Sequence, residues 1–474
     1  MLDKFAPCDA AFLAPLRDLL PAATFRETTD AYTTEPRGRW KGQGVVLAPA
    51  TVDEVSLILK AAHEARVAVV PHTGGTGLVG GQIMPDGAMP LILSLARMNK
   101  IRATYPTENV IVAEAGVTVA AVQDQAKAVG RLFPLQLASD GSCGVGGVLA
   151  TNAGGTNVLR YGNARALCLG VEAVLPDGRI WNGLTRLRKD NAGYDLRDLL
   201  IGSEGSLAVI TAAALRMVPD PAEQGAAIFS VASPEAALDL LALVQSMAGE
   251  GVTGFELISR QGLDFMDETG IGQPDPVRPR PDWLALVDLG LPRGMDVTTI
   301  FEALFTEAVA AGLVADGTIA ANEAQRAAFW RLRETIPEGN RLIGSISSHD
   351  ISVPLSEIPA FLSAAKAALA EIAPFRVNCF GHLGDGNLHY NVFAPKGEKA
   401  ADYKHLRDRV QETVHAVVAS FNGSVAAEHG VGRLKVKDLE RHLDPVKLAM
   451  MRQIKATLDP HGIMNPGAVL AVQG

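Results

Sequence analysis

Two glycine-rich segments place the strongest constraint on the fold of this chain. The first, at 74–81, follows an apolar stretch at 67–71 that predicts a short buried strand. The second spans 141–155, where small and hydroxylated residues dominate. Glycine lets backbone N–H groups approach phosphate oxygens closely. The first segment alone fits a ligand-free turn equally well, but the two together predict a long cofactor lying against the backbone.

The first segment is not a dinucleotide-binding turn of the Rossmann type, although residues 75–80 match its Gly-x-Gly-x-x-Gly spacing. That motif needs a helix that begins at the loop, because the helix N-terminus holds the pyrophosphate. Here the loop continues into residues 81–87, whose glycines, proline and aspartate are typical of turns. We therefore reject the Rossmann interpretation.

Length and charge bound the class of protein. The 474 residues are enough for two or three domains, and 48% apolar with 20% charged residues predicts a well-folded globular chain. A net charge of −9 does not favour binding to nucleic acid or to an anionic membrane. The sequence Pro219-Asp220-Pro221 predicts a domain boundary, beyond which strands alternate with longer helices.

Cysteine usage and the N-terminal residues predict the compartment. Cys8, Cys143, Cys168 and Cys379 are scattered without metal-ligand spacing, which is typical of buried thiols in a reducing compartment. Cys379 stands three residues before His382, but a packing role is favoured over a metal-binding one. The chain start lacks a basic region before an apolar core, and no stretch reaches the ~18 apolar residues of a spanning helix. We expect a cytoplasmic location and no transmembrane segment.

A histidine-containing loop at Gly381–Asn391 carries the clearest chemistry. Strand patterns flank its Gly-Asp-Gly-Asn turn. His389 and Asn391 are two residues apart and so share one face of their strand. His382 lies across the turn and is expected to converge on the same place.

Glu428 and His429 lie downstream of that loop. Two imidazoles and a carboxylate can hold a divalent metal with open positions for a substrate, and a further histidine can move a proton. A lone histidine would more often have a structural role. The whole group instead favours metal-assisted redox chemistry.

These motifs resemble the flavoprotein superfamily of vanillyl-alcohol oxidase and para-cresol methylhydroxylase. Within it, the C-terminal half is similar to the FAD-dependent D-2-hydroxyacid dehydrogenases, which include D-2-hydroxyglutarate and D-lactate dehydrogenases and the D subunit of glycolate oxidase. Besides the two glycine segments, the resemblance is carried by residues 160–162, 189–196, 201–207, 381–391, 427–432 and 465–467.

The resemblance implies an α+β fold in three parts. Residues 1–220 are expected to form an FAD-binding domain of the para-cresol methylhydroxylase type, with two subdomains. Residues 221–425 are expected to form an inserted substrate-binding domain with an antiparallel sheet. Residues 426–474 are expected to form a C-terminal helical segment that returns to the flavin.

The implied cofactors are FAD and a divalent metal. Thr76 stands where some relatives attach the flavin to a histidine, so we expect the FAD to be non-covalent. The metal is expected to be zinc, with manganese as the alternative. The resemblance places flavin contacts at Pro71, Thr73, Gly74, Gly75, Thr76, Gly77, Gly80, Ser139, Asp140, Ser142, Gly146, Gly147, Thr151, Asn152, Gly154, Gly205, Ile210 and Asn465.

The resemblance also assigns roles around the histidine loop. It makes His382, His389 and Glu428 the metal ligands, His429 the general base and Asn391 a substrate contact. The reaction it implies is oxidation of a D-2-hydroxy acid to the 2-oxo acid, with D-2-hydroxyglutarate as the first expected substrate. D-lactate, or a role as the flavin subunit of a glycolate-oxidase-like complex, is the alternative.

The expected contact to the distal carboxylate of the substrate is only partly present. Arg333 matches the arginine of the D-2-hydroxyglutarate enzymes, with a solvated helix face as the competing interpretation. The expected threonine is replaced by Pro337, and the expected lysine by Ser348. His349, next to Ser348, and Arg341 are considered as replacements for the missing cation.

Electrons must leave the flavin for an acceptor that the sequence does not identify. An electron-transfer flavoprotein, a quinone and a cytochrome are all considered. The lack of a cysteine cluster argues against an internal iron–sulfur relay. Nucleic acid is not expected as a partner, and a homodimer is considered as the assembly.

Overall fold

The computed structural model of the protein describes residues 2–472, apart from the side chain of Asp3. The chain divides into two compact units. Unit 1 comprises residues 1–155, 161–220 and 428–474, and unit 2 comprises residues 156–160 and 221–427. Unit 2 is therefore inserted into unit 1.

The helices and strands alternate along most of the chain. The α-helices are α1 (Ala10–Leu19), α2 (Asp30–Thr33), α3 (Val52–Ala65), α4 (Val119–Ala128), α5 (Val145–Ala150), α6 (Val158–Tyr161), α7 (Leu196–Leu200), α8 (Pro234–Ala248), α9 (Arg260–Glu268), α10 (Val297–Ala310), α11 (Glu323–Ile343), α12 (Ile358–Ala370), α13 (Arg407–Ser420), α14 (Val436–His442) and α15 (Pro445–Leu458). The strands are β1 (Phe25–Arg26), β2 (Val45–Leu47), β3 (Val69–His72), β4 (Leu91–Ser94), β5 (Ile101–Tyr105), β6 (Val110–Glu114), β7 (Arg131–Leu132), β8 (Cys168–Val174), β9 (Ile180–Gly183), β10 (Val209–Arg216), β11 (Val218–Pro219), β12 (Glu223–Val231), β13 (Val252–Ser259), β14 (Trp283–Leu291), β15 (Val314–Ile319), β16 (Ser347–Ser352), β17 (Arg376–His382) and β18 (Asn387–Phe393).

Local signals explain several helix boundaries. Thr51 caps α3 by accepting a hydrogen bond from the amide of Glu54. Ser233 caps α8 in the same way and is followed by Pro234 at the first helical position. The helical pattern of the sequence at 234–248 predicts the same bounds for α8.

Unit 1 contains two α+β subdomains. In the first, β2, β4 and β3 are parallel, β1 adds an antiparallel edge, and α3 packs on the sheet. In the second, the antiparallel order is β5-β6-β10-β8-β9, and α4 and α5 contribute to its core. The first glycine segment follows β3, so the parallel sheet fixes where that segment begins.

Unit 2 is built on an antiparallel sheet with the order β15-β12-β14-β13-β17-β18-β16. One face packs on α8, α10, α12 and α13, which bury a large aliphatic and aromatic core. On the other face, α9 and α11 pack over the part of the sheet that includes β13 and β17. Together with unit 1, this sheet confirms the predicted α+β class.

Two helices depart from the sequence patterns. The helical pattern at 322–336 predicts a helix that ends before Pro337. The observed helix, α11, continues to Ile343 with Pro337 inside it. Proline has no N–H, so the carbonyl of Arg333, four residues earlier, lacks its helical donor. The second glycine segment contains the short helix α5, whose Val148 and Leu149 enter the core of unit 1. Part of that segment therefore packs in the core, in addition to the ligand-binding role that the sequence predicts.

Among residues 2–472, no helix is long and apolar enough to cross a membrane. The four cysteines are buried free thiols, as predicted. Burial raises the pKa of Cys8 and of Cys168 to about 12, so neither thiol is activated for chemistry.

Candidate active site

In unit 1 the two glycine segments pass backbone to backbone. A Cβ added at Gly74 would lie 2.0 Å from the carbonyl oxygen of Ser142, and one added at Gly147 would lie 2.4 Å from Oγ1 of Thr73. Gly74 and Ser142 are nevertheless exposed to solvent. The segments thus form a cradle whose floor is backbone and whose surface is open, which fits a phosphate-bearing cofactor.

The other predicted flavin residues also belong to unit 1. The half-buried ones are Pro71, Thr73, Gly75, Thr76, Gly77, Ser139, Asp140, Gly147, Thr151 and Asn152, and the buried ones are Gly80, Gly146, Gly154, Gly205, Ile210 and Asn465.

Some predicted flavin residues have structural roles within the protein. The carboxylate of Asp140 accepts hydrogen bonds from Gln123 and from the amide of Leu137, and burial raises its pKa. Asn152 adopts a left-handed conformation and accepts from the amide of Arg165. Ile210 belongs to the core. We therefore expect Asp140 and Ile210 to reach a flavin mainly through their backbone.

A polar network, missed from the sequence, fixes the first glycine segment to the C-terminal part of unit 1. Arg433 donates to the carbonyls of Gly80 and Gly81 and to Oδ1 of Asn465. Asn465 donates in turn to the carbonyls of Gly81 and Glu204. Burial lowers the pKa of Arg433 to about 10. Because two of its acceptors, the carbonyls of Gly80 and Gly81, are 353 and 352 residues away in the chain, no local pattern reveals this role.

Glu204 clamps the loop that carries the predicted base, His429. Its two carboxylate oxygens accept from the amides of Val431 and Gly432, each at 2.8 Å. Burial raises the pKa of Glu204, against those two hydrogen bonds. In the same loop, Oε1 of Glu428 accepts from the amide of Gly155 at the end of the second glycine segment. The backbone on both sides of His429 is therefore fixed within unit 1.

His72 lies beneath the first glycine segment. It is 6% exposed, and its Nε2 would be 2.8 Å from a Cβ on Gly75. In the part of the chain described, neither ring nitrogen has a hydrogen-bond partner. Burial lowers the pKa of His72 to about 4. The imidazole is therefore neutral and supports the segment from below.

In unit 2 the histidine loop forms as the sequence predicts. β17 and β18 are antiparallel neighbours joined by a short 3-10 turn, and His389 pairs with Phe380 across them. Strand alternation places Phe380, His382, His389 and Asn391 on one face of the sheet. The rings of His382 and His389 have centroids 5.6 Å apart. The two predicted imidazole ligands are thus brought together.

Arg333 reaches the same face from α11 and is not a solvated helix residue. It is 6% exposed, and its Nε donates to Oε2 of Glu256 at 2.5 Å. The other oxygen of Glu256 contacts Nδ1 of His382. Burial alone would raise the pKa of Glu256, but Arg333 and His382 together lower it to about 2. Glu256 is therefore an ionised carboxylate shared by two predicted functional residues, and the sequence analysis missed it.

The guanidinium of Arg333 keeps its outer nitrogens available. Its Cζ lies 4.6 Å from the ring centroid of Phe380, which fixes the plane of the group. Within residues 2–472, no protein hydrogen bond reaches Nη1 or Nη2. These two nitrogens can donate two parallel hydrogen bonds to a planar carboxylate.

His389 and Asn391 are oriented by neighbours on the sheet. Asp350 pairs with His389 across β16 and β18, and its Oδ1 lies 4.0 Å from Nδ1 of that ring. Asn387 donates to the same carboxylate oxygen at 2.9 Å. The side-chain nitrogen of Asn391 donates to the carbonyl of His389. The side-chain oxygen of Asn391 therefore points away from that carbonyl.

The structure overturns the proposed role of His349. It pairs with Tyr390, so strand alternation turns its side chain to the opposite face from His389. There it is buried at 3% exposure with Nδ1 3.2 Å from Nε2 of His415 on α13. Cys379 also pairs with Tyr390 and points into that core. Neither His349 nor Cys379 can therefore join the histidine pair.

The other candidates for a second cation are not placed for it either. Arg341 is exposed and pairs with Glu338 on the outer side of α11. Ser348 shares the face of Asn391, but it is exposed and its hydroxyl bonds to Ser345. Pro337 is exposed on α11. Of the residues considered for a distal carboxylate, Arg333 alone is buried on the face of the histidine pair.

Comparison with known families confirms the resemblance. A family model described as the FAD binding domain matches residues 44–183. A second, described as the C-terminal domain of FAD linked oxidases, matches residues 220–469. The second match alone covers more than half of the chain. These matches support FAD as the cofactor of unit 1.

Curated relatives match over most of their length. The chain is 37% identical to the mitochondrial D-2-hydroxyglutarate dehydrogenase of Bos taurus, over 97% of this chain and 83% of that protein. It is 34% identical to the D-2-hydroxyglutarate dehydrogenase of Xanthomonas citri, over 90% of each. It is 31% identical to a D-2-hydroxyglutarate–pyruvate transhydrogenase of Saccharomyces cerevisiae, over 90% of this chain and 87% of that protein.

Solved structures confirm the predicted fold. p-Cresol methylhydroxylase with substrate bound superposes with a TM-score of 0.77 at 15% identity, over 97% of this chain and 96% of that one. Alkyldihydroxyacetonephosphate synthase gives a TM-score of 0.71 at 16% identity, over 98% and 87%.

The cradle generates a test of FAD binding. Gly147→Ala would push a methyl group against Oγ1 of Thr73 and displace it into the cradle. We expect FAD affinity to fall roughly tenfold, or about 1.4 kcal/mol, by fluorescence titration of the apoprotein. Gly141→Ala is the matched control, because a Cβ there meets nothing within 4 Å. Equal affinities for the two variants would contradict the cradle.

Proposed function

Because the chain belongs to the family of FAD-linked oxidases, we propose that it oxidises D-2-hydroxyglutarate to 2-oxoglutarate. It is an FAD-dependent dehydrogenase that acts on a CH–OH donor. The observation that carries the choice of substrate is Arg333, a buried arginine with an open Nη1/Nη2 pair on the same sheet face as His382 and His389. A second carboxylate on the substrate would match that pair.

A divalent metal would complete the proposed site, and His382, His389 and Glu428 are the residues that would hold it. The chemistry of the donors fits zinc, which takes histidine nitrogen and carboxylate oxygen, and manganese is the alternative. Chain connectivity supports Glu428 as the third ligand. The preceding residue, Ala427, bonds through its amide to the carbonyl of Asp350, the strand neighbour of His389.

The two cofactors divide the chemistry. When bound, FAD would supply a hydride acceptor for C2 of the substrate, and a metal would supply Lewis acidity that lowers the pKa of the 2-hydroxyl. The residues Thr73, Gly74, Ser142 and Gly147 form the cradle that would hold FAD. With Thr76 in place of a tethering histidine, the FAD is proposed to be non-covalent.

The cofactor assignment predicts two separable losses. Chelation should abolish activity while the protein stays yellow, because the proposed metal ligands do not belong to the glycine cradle. Acid precipitation should then release the FAD into the supernatant. Full turnover by demetallated enzyme, shown metal-free by elemental analysis, would exclude the Lewis-acid role, and flavin left in the pellet would show a covalent bond.

His429 is the proposed general base for the 2-hydroxyl proton. A base must be held in place to be effective, and Glu204 fixes its loop through the amides of Val431 and Gly432. The loop is half-buried, so the imidazole can meet both the substrate and, after the reaction, water.

The base assignment is tested by replacing His429 with asparagine. We expect His429→Asn to slow flavin reduction at least ~10²-fold, the scale for a lost proton acceptor, in anaerobic stopped-flow measurements. His405→Asn is the control, because His405 is exposed on a 3-10 helix of unit 2. Reduction at the wild-type rate in His429→Asn would rule out this role.

Arg333 distinguishes a dicarboxylate from a smaller acid. Lysine keeps the charge beside Glu256 but cannot form a planar, bidentate contact. Loss of a charge-assisted contact costs about 1.5–3 kcal/mol, or roughly ten- to a hundredfold in kcat/KM. We expect Arg333→Lys to lose that much with D-2-hydroxyglutarate and little with D-lactate.

The control for Arg333→Lys is Arg326→Lys. Arg326 lies seven residues earlier on α11 and pairs with the buried Asp288, so it is a comparable ion pair without a histidine neighbour. It should affect both substrates equally. Equal losses for both substrates in Arg333→Lys would mean that Arg333 does not bind the distal carboxylate.

D-lactate is the second candidate substrate, and one observation favours it. The position of the expected lysine is Ser348, exposed and bonded to Ser345, and neither His349 nor Arg341 supplies a second cation. A panel of D-2-hydroxy acids with an artificial electron acceptor separates the two substrates. Activity of the purified chain in that assay also separates a self-contained enzyme from a flavin subunit of a larger complex.

The setting of the reaction completes the proposal. The enzyme is proposed to work in the cytoplasm, passing electrons to an electron-transfer flavoprotein, a quinone or a cytochrome. Fractionation of cells tests the location, and reduction of each purified acceptor by the substrate-reduced enzyme tests the partner. The homodimer is tested by light scattering of the purified protein.

A further inference from the structure

A buried carboxylate lies between two residues that the proposed function assigns to different tasks. Glu256, on β13, is fully buried at 0% exposure. It pairs in register with His382 on β17, and it contacts Nδ1 of that ring through one oxygen. Its other oxygen accepts from Nε of Arg333 on α11. Within residues 2–472, these two contacts are the hydrogen bonds that stabilise its charge.

We propose that Glu256 is a positioning residue that holds His382 with Nε2 presented to the metal and Arg333 with Nη1 and Nη2 presented to the distal carboxylate. This inference rests on the proposed function and deepens it. Glu256 touches neither the substrate nor the metal.

The geometry of the histidine supports the first part. An ionised carboxylate can only accept a hydrogen bond, so its contact with Nδ1 requires the proton there. The lone pair of the neutral ring then lies on Nε2, on the side away from Glu256. A carboxylate behind a metal-binding histidine fixes the tautomer and the orientation of the ring and increases its basicity.

The geometry of the arginine supports the second part. A guanidinium has five N–H donors in a rigid fork. Glu256 uses Nε, at 2.5 Å, while Phe380 lies against the face of the group. Both contacts leave the Nη1/Nη2 edge open, and both fix the direction in which it points.

Asp288, on β14 of the same sheet, supplies a matched control. Asp288 on β14 is also buried, at 3% exposure, and pairs with an arginine of α11, Arg326. It accepts from Trp330 and Thr253 as well. Asp288 is therefore a buried carboxylate of the same sheet, paired with the same helix, and among residues 2–472 it bonds to no histidine.

The test compares Glu256→Gln with Asp288→Asn in the full-length, FAD-loaded protein. Glu256 uses a different oxygen for each partner, and glutamine replaces one of these two acceptors with an NH₂ donor. If that NH₂ group faces Nδ1 of His382, it favours the tautomer with the proton on Nε2. We expect Glu256→Gln to bind Zn²⁺ roughly 10- to 100-fold more weakly in competition with a chromophoric chelator. Asp288→Asn should bind within about twofold of wild type.

The second readout is the substrate dependence. Glu256→Gln with saturating metal should raise KM for D-2-hydroxyglutarate more than for D-lactate. The reason is that Nη1 and Nη2 of Arg333 would no longer be held facing the distal carboxylate. Asp288→Asn should leave the ratio of the two KM values unchanged. A merely structural role for Glu256 would raise both values equally, and that outcome would overturn the arginine half of the inference.

Stability is controlled by a second variant. If Glu256→Gln folds poorly because Arg333 is left unpaired, the double variant Glu256→Gln/Arg333→Gln removes both charges. It should show the same loss of Zn²⁺ affinity, whereas Arg333→Gln alone should bind Zn²⁺ normally. Wild-type Zn²⁺ affinity in the double variant would overturn the histidine half while leaving the proposed function intact. A wild-type protein that binds no metal would overturn the metal site itself along with this inference.

Discussion

The ion pair between Glu256 and Arg333, with His382 on the other side of the carboxylate, is the interaction on which unit 2 depends. Taking a carboxylate out of water costs several kcal/mol unless its oxygens are bonded. Here both oxygens have partners, so removing one partner would cost about 3–5 kcal/mol. The ion pair therefore holds α11 and β17 in fixed positions against β13. The functional side chains on these elements are held in place as a result.

Unit 1 uses a buried carboxylate in a related way. Glu204 is itself in a left-handed conformation and is buried against two backbone amides of the loop that carries His429. Those amides lie in a loop and not in a strand or helix. The hydrogen bonds to Glu204 therefore fix the backbone of this loop. Arg433 and Asn465 extend the same network to the first glycine segment. Chemistry placed on loops is thus supported by polar groups that are themselves buried.

Local patterns were enough to predict much of this arrangement. The glycine turn flanked by two strands, and the shared face of His389 and Asn391, follow from residue types two to ten positions apart. The cradle followed from glycine content, although the helix α5 inside it was missed. The face of His349 was missed because alternation along β16 has meaning only once its register with β18 is known.

The network residues could not be found in this way. Glu256 and Arg333 are 77 residues apart, and Arg433 and Gly80 are 353 apart. A single glutamate in an apolar strand pattern carries no signal of its partner. The sequence pattern predicts a helix that ends before Pro337. The observed helix, α11, continues past it, and Asn340 is buried and bonded to Asn378 on β17. Tertiary contacts decided each of these cases.

The most direct measurement is anaerobic titration of the purified, metal-loaded flavoprotein with D-2-hydroxyglutarate, followed through the absorbance of the flavin. The account predicts complete bleaching at one equivalent of substrate per flavin, formation of 2-oxoglutarate in equal amount, and no bleaching with the L enantiomer. A flavin that stays oxidised at saturating D-2-hydroxyglutarate, or that is reduced equally well by both enantiomers, would contradict it.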